Sequence, residues 1–293
     1  MQLREIGKIT SLADAVSARV KISDHPRQFT AFRGQANYRW KLEPKLFRSS
    51  RWKRYEHSMI RDVISAHPQE FHNDETMLDK LVRLQHYGLP TRLLDVTLNF
   101  LIALYFASED HHEKLPNSNQ AVPRDGALFA MSGSDKLEKY YDSDSVSVLA
   151  NLSNLTSYRK ENIVTALETY SKSELEEYRE ERDVDQLVQF IRAEKPYFRN
   201  LINMDDLTKA YYVIPKKNNR RIIAQSGGFI ILGLSTTNFS TVFPRMKTGF
   251  FRIPHSNKTK IREDLDKLGV NDAFLFPEID RAAAFVADRY RKK

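Results

Sequence analysis

Gln85-His86-Tyr87-Gly88-Leu89-Pro90-Thr91-Arg92-Leu93-Leu94-Asp95-Val96-Thr97 sets a histidine, a tyrosine, a threonine, an arginine and an aspartate inside one short span. Its flanks are apolar and helical in period. Before it, Thr76 to His86 places Leu78, Leu81 and Val82 on one inward face, and Gly88 supplies a C-cap region. After it, Thr97 to Glu109 carries Leu98, Leu101, Ile102, Tyr105 and Phe106 with no charge until Glu109, the pattern of a buried helix. The span therefore reads as a polar loop held between two apolar helices, a place where polar groups converge. Asp95 and Thr97 also fit as N-caps of the second helix. Capping leaves His86 and Arg92 unexplained.

Outward from this span the chain alternates short strands and helices. Residues 11–20 form a helix with Leu12, Val16 and Val20 at four-residue spacing, and Gln28 to Gly34 a strand. Arg51 to Ala66 is a helix whose face holds Tyr55, Met59, Ile60, Val63 and Ile64, stopped by Pro68. Gly126 to Met131 is a strand, 132–157 is irregular, and Asn162 to Glu194 is mostly helix. Tyr211 to Pro215, Ile222 to Leu234 and Ala273 to Phe276 read as strands. Lys258 to Leu268 and Ile279 to Tyr290 read as helices. The result is one α+β unit over 1–293, with a core at about 28–131 and 211–290 and a mainly helical insertion at about 132–210.

Two further constellations carry chemistry. Ala31-Phe32-Arg33-Gly34-Gln35 puts an arginine at a strand end beside glycine. Its planar fork can grip a phosphate or carboxylate, or it can pair with a carboxylate such as Asp95. Gly34 lets the backbone turn or a ligand approach. Arg220-Arg221-Ile222-Ile223-Ala224-Gln225-Ser226-Gly227-Gly228-Phe229 sets Gln225 among apolar residues, where an amide is costly unless hydrogen-bonded. Gln225 is a site residue or a satisfied structural amide. His111-His112-Glu113 reads as a solvated loop run, and no metal ligand set is assigned.

Composition limits the function classes. The 293 residues are 41% hydrophobic, contain no cysteine and carry a net charge of +8. Thiolate chemistry and disulfides are excluded. No apolar run is long enough for a membrane helix, and the first ten residues lack a signal-peptide core, so the cytoplasm is the expected compartment and no membrane partner is expected. Residues 1–70 hold 14 lysines and arginines against 7 acids; residues 161–194 hold 4 against 10. The basic part fits an anionic partner, a nucleotide or a nucleic acid, or a solvated surface.

Together the motifs resemble the FRG domain family. Phe32-Arg33-Gly34 matches its hallmark triplet, His86 to Ala107 its His-x-Gly-x-Pro-Thr segment running to Ala-Leu-Tyr-Phe-Ala, Arg221 to Phe229 a later motif, and Leu275 to Glu278 a final Leu-Phe-Pro-Glu. The resemblance spans 28–290. The motif order is also similar to that of ADP-ribosyltransferases of the Arg–Ser–Glu type, in which a first-strand arginine precedes a strand leading into a helix ending in Phe-Ala, and a last strand carries a glutamate.

That second resemblance implies a short-stranded mixed or antiparallel split sheet flanked by helices, with NAD as cofactor. It implies that Arg33 holds phosphates beside Gly34, that Thr91 braces the nicotinamide ribose, and that His86 or Tyr87 stacks or hydrogen-bonds there. Arg92 joins this binding set. Gln225 stands where the glutamate would be, so Asp95 or Glu278 would have to supply the charge. The implied function is an NAD-linked transferase or hydrolase acting as a toxin or phage-defence effector, on an acceptor the sequence does not name. The alternatives are a nucleic-acid-binding or -cleaving effector, suggested by Tyr38, Trp40 and Trp52 among basic residues, and a non-catalytic nucleotide-sensing module.

Overall fold

In the computed structural model, residues 3–22, 25–114, 120–217, 220–234, 246–277 and 290 are described. In chain order the elements are β1 (Arg4–Lys8), α1 (Leu12–Lys21), β2 (Gln28–Gln35), α2 (Ser50–Ala66), α3 (Met77–His86), β3 (Leu93–Thr97), α4 (Phe100–Ala107), β4 (His112–Lys114) and β5 (Ala121–Pro123). They continue with β6 (Gly126–Ser134), β7 (Glu138–Tyr140), α5 (Asp144–Asn151), α6 (Ser157–Thr169), α7 (Lys172–Tyr178), α8 (Arg182–Glu194), β8 (Ala210–Ile214), α9 (Arg220–Ala224), β9 (Gly227–Leu232), β10 (Lys247–Ile253), α10 (His255–Lys267) and α11 (Asp272–Leu275). The fold is α+β.

Among the described residues, eight strands form one mixed sheet in the order β1-β10-β6-β2-β3-β9-β8-β7, and β4 and β5 form a separate ribbon. The two edge strands β1 and β7 run parallel to their neighbours, and the inner pairings are antiparallel. Both faces are covered, which is why β6 is apolar and buried from Gly126 to Met131 rather than alternating. Ala127, Phe129 and Met131 of β6 face a core shared with Leu81, Leu94, Leu149, Leu187 and Ile230. Leu128 and Ala130 face a second core with Phe32, Ala103, Leu104, Phe251, Ile261 and Leu265. The stretch 132–210 is mainly helical; it packs into the first core and gives the sheet its β7 edge.

Several local expectations are corrected. Asp95 and Thr97 belong to a strand, β3, and Asn99 caps α4 instead, its side chain accepting from the amides of Leu101 and Ile102. The polar span thus joins a helix to a strand. Residues 132–157 contain β7 and α5, which is buried from Val146 to Asn151; the serine-rich composition conceals Val146, Val148 and Leu149. The strand expected over 222–234 splits into α9 and β9, parted by Ser226 at φ 45°. Residues 273–276 form the end of a helix, α11, capped by the Asn271 side chain, which accepts from the Phe274 amide at 3.0 Å. α1 turns Ala15 and Ala18 inward and leaves Val16 and Val20 exposed. α2 leaves Tyr55 half-exposed at a non-helical turn and buries Glu56. The charged β1 gave no strand pattern. The helix expected over 279–290 lies outside the described residues apart from Tyr290.

Candidate active site

β2 pairs with β6 along its whole length, Gln28 to Gln35 against Ser134 to Ala127. On its other side it meets β3 at a single register position, Phe32 opposite Thr97. β3 in turn pairs fully with β9. The sheet is therefore well bonded on both sides of one opening between β2 and β3. A cleft of about 210 Å³ sits there.

Arg33 reaches across this opening. Its Nη1 donates to the Asp95 backbone carbonyl at 2.6 Å and lies 3.8 Å from the Asp95 carboxylate. The arginine thus takes up a carbonyl that a continuous ladder would have satisfied. Its Nε is buried without a hydrogen-bond partner among the described residues. Burial lowers the Arg33 pKa, Asp95 counteracts this, and Arg48 adds to it. A partly buried guanidinium with an unmet Nε donor, facing a cleft, is suited to receive an anion.

The glycine after it has a different cause from the one expected. A Cβ at Gly34 would strike the Ala103 carbonyl oxygen and the Ala107 amide nitrogen of α4. Helix backbone, not ligand, demands glycine here. This close packing of α4 onto β2 fixes where Arg33 emerges.

Asp95 is 62% exposed at its side chain and accepts from Gln85 Nε2 at 2.5 Å. The Gln85 side-chain oxygen Oε1 accepts from the Thr91 hydroxyl. Gln85 was not singled out by the sequence, although Val82, Gln85 and His86 share one face of α3 at the i, i+3, i+4 spacing. On the far wall, the Thr97 hydroxyl donates to the Gln225 carbonyl at 2.7 Å and accepts from the Asn99 amide at 3.0 Å. Gln225 Nε2 donates to the Leu275 carbonyl at 3.1 Å. Its amide nitrogen is thus bonded to α11, and the residue follows a helix rather than sitting in a strand. Arg221 also lines the cleft, its guanidinium 4.9 Å from the centre of the Phe276 ring.

The structure brings Arg33, Gly34, His86, Asp95 and Gln225 to one cleft. Thr91 stands behind it, acting through Gln85. Tyr87 faces an adjoining cleft of about 270 Å³ and donates to Glu70 at 3.0 Å. Arg92 is elsewhere. It is 2% exposed and grips Glu56 at 2.9 and 2.6 Å in the core, so its role is internal. Glu278 lies outside the described residues. Residues 28–115 match the family model for the FRG domain. The chain carries an FRG domain. That span of the FRG domain holds Arg33, Gly34, Gln85, His86, Asp95 and Thr97, whereas Arg221 and Gln225 come from beyond it. No curated protein and no solved structure matches the chain.

Proposed function

We propose that the cleft binds the nicotinamide end of NAD and that the protein is an NAD-linked transferase or hydrolase. The observation that carries this reading is the opening between β2 and β3, bridged by Arg33. The strand order supports it: β2 with Arg33, β3 with Asp95 and Thr97, and β9, which follows Gln225, lie side by side, and their motifs come in the chain order of the ADP-ribosyltransferase resemblance. Size supports a dinucleotide as well. Ligand pockets usually occupy ~300–1,000 Å³. The cleft of about 210 Å³ is small alone, but it shares Val82, His86 and Ile222 with the adjoining cleft of about 270 Å³.

In this reading Arg33 holds a phosphate oxygen. The C1′–N bond of NAD breaks, its electron pair leaving on nicotinamide. Asp95, the one carboxylate lining the cleft among the described residues, stabilises the oxocarbenium and takes the proton of the attacking hydroxyl. Gln225 is neutral and holds the wall between β9 and α11. The test is nicotinamide release from NAD, followed chromatographically, with Asp95→Asn in parallel. Loss of one preorganised electrostatic group costs ~10²–10³ in rate. Equal release by the variant, or none by the parent protein, overturns the reading.

One observation favours a second reading. Arg39, Lys41, Lys45, Arg48, Arg51, Lys53 and Arg54 are all exposed, and Trp40 is exposed among them. A nucleic-acid effector would use them, and its binding would weaken steeply with salt. Salt-dependent RNA or DNA binding without NAD turnover would put this reading first.

A further inference from the structure

The His111-His112-Glu113 run gains a partner that only the fold supplies. His255 opens α10, 143 positions after His112, and its ring meets the His112 ring edge-on with centroids 5.3 Å apart. Asp110 faces both. Its Oδ2 is 3.5 Å from His112 Nδ1 and its Oδ1 is 3.5 Å from His255 Nδ1. These separations are too long for good hydrogen bonds, and His255 Nδ1 is buried without a hydrogen-bond partner among the described residues. Two imidazole nitrogens therefore point at one carboxylate without bonding to it.

We propose that Asp110, His112 and His255 bind a divalent transition-metal ion, zinc foremost. The three ligand atoms lie within 4.8 Å of one another. Zinc bonds of ~2.0–2.1 Å in a tetrahedron separate neighbouring ligand atoms by about 3.4 Å, close to the 3.5 Å from each imidazole to its nearer Asp110 oxygen, Oδ2 for His112 and Oδ1 for His255. Imidazole and carboxylate are the donors such a metal takes in a chain without cysteine. All three side chains reach the surface, so a fourth position stays open to water.

The frame around the cluster is already tied down. The Lys258 ammonium donates to the carbonyls of Ala36 and Glu109 at 2.7 and 2.8 Å, which fixes the residue before Asp110. The His255 amide donates to Asp125 at 2.8 Å, so the start of α10 is satisfied by a different acid and Asp110 remains for the imidazoles. His112 sits opposite Pro123 in the β4–β5 ribbon. A bound ion would clip the ribbon and the end of α4 to α10.

Tag-free, chelator-treated protein is titrated with Zn²⁺ by calorimetry and with Co²⁺ by visible absorption. One ion per chain is expected, with tetrahedral Co²⁺ bands. His112→Ala and His255→Ala should each weaken binding at least about 10–100-fold, the loss that follows even from removing an outer-shell partner of a ligand. Asp110→Asn, which preserves shape, should do the same, and His72→Ala should bind like the parent. Melting of each metal-free variant at the parent temperature certifies its fold. Absence of saturable binding in the parent, or undiminished binding in either histidine variant or in Asp110→Asn, overturns the proposal.

Discussion

Glu56→Gln tests the physics of the core. Glu56, Arg92 and Lys160 are all buried, at 1%, 2% and 9% exposure. Glu56 accepts from Arg92 Nε and Nη2 at 2.9 and 2.6 Å and from the Lys160 ammonium at 2.5 Å. Arg92 also donates to the Leu232 carbonyl at 2.9 Å, joining α2 and α6 to the end of β9. Burial pushes the Glu56 carboxyl up, but Arg92 and then Lys160 more than reverse this and hold it down at about 2. Its ordinary value is 4.5. Folding therefore gains stability from the ionised carboxylate above pH 4.5, and loses it as pH falls from there towards 2. At 1.36 kcal/mol per pKa unit the contribution is about 3 kcal/mol.

Removing the charge strands two buried cations, for which the general cost is ~3–5 kcal/mol. Native domains hold only ~5–15 kcal/mol in total. Urea unfolding at pH 7 should show Glu56→Gln less stable by about 3 kcal/mol, and the gap should close as pH drops below 4.5. The combined replacement Glu56→Leu, Arg92→Met, Lys160→Met removes every charge at once and should recover most of the loss, because well-packed apolar groups often replace a buried ionic cluster at no cost. A single variant within about 1 kcal/mol of the parent, or a stability gap that does not change with pH, would refute this account.

Arg33→Ala should weaken NAD binding about 10- to 150-fold, the worth of one charge-assisted hydrogen bond, while melting falls by no more than about 6 °C. Asp95 is exposed and can be rehydrated, so a larger collapse in a thermal melt would instead mark Arg33 as a core anchor. Gly34→Ala drives a methyl into α4 backbone that has no flexible end to give way, and should lower urea stability by about 1–3 kcal/mol or more; an unchanged midpoint would contradict the packing described. Thr97→Val removes the bonds to the Gln225 carbonyl and the Asn99 amide and should cost about 1–3 kcal/mol, with faster hydrogen exchange at Asn99 as its local signature.

The sequence carried the helices well where one face was apolar. α3, α8 and α10 follow their periodicity, and the buried α4 follows from its lack of charge. The motifs also told which residues to watch, because Arg33, His86, Asp95 and Gln225 are polar residues on otherwise apolar segments. Such features are local: a few neighbours along the chain decide them.

What the sequence could not decide is where each charge finds its partner. Arg92 and Arg33 look alike in one dimension, each beside apolar residues near a motif. Arg92 meets Glu56, 36 positions earlier, and is sealed in the core. Arg33 meets a backbone carbonyl 62 positions later, at an opening in the sheet. Gln85, His255 and the 3.5 Å spacing around Asp110 likewise exist only once distant segments are packed together. Whether a buried charge is a core clamp or a free grip depends on strand pairing, and the single register position between β2 and β3 is a property of the whole sheet.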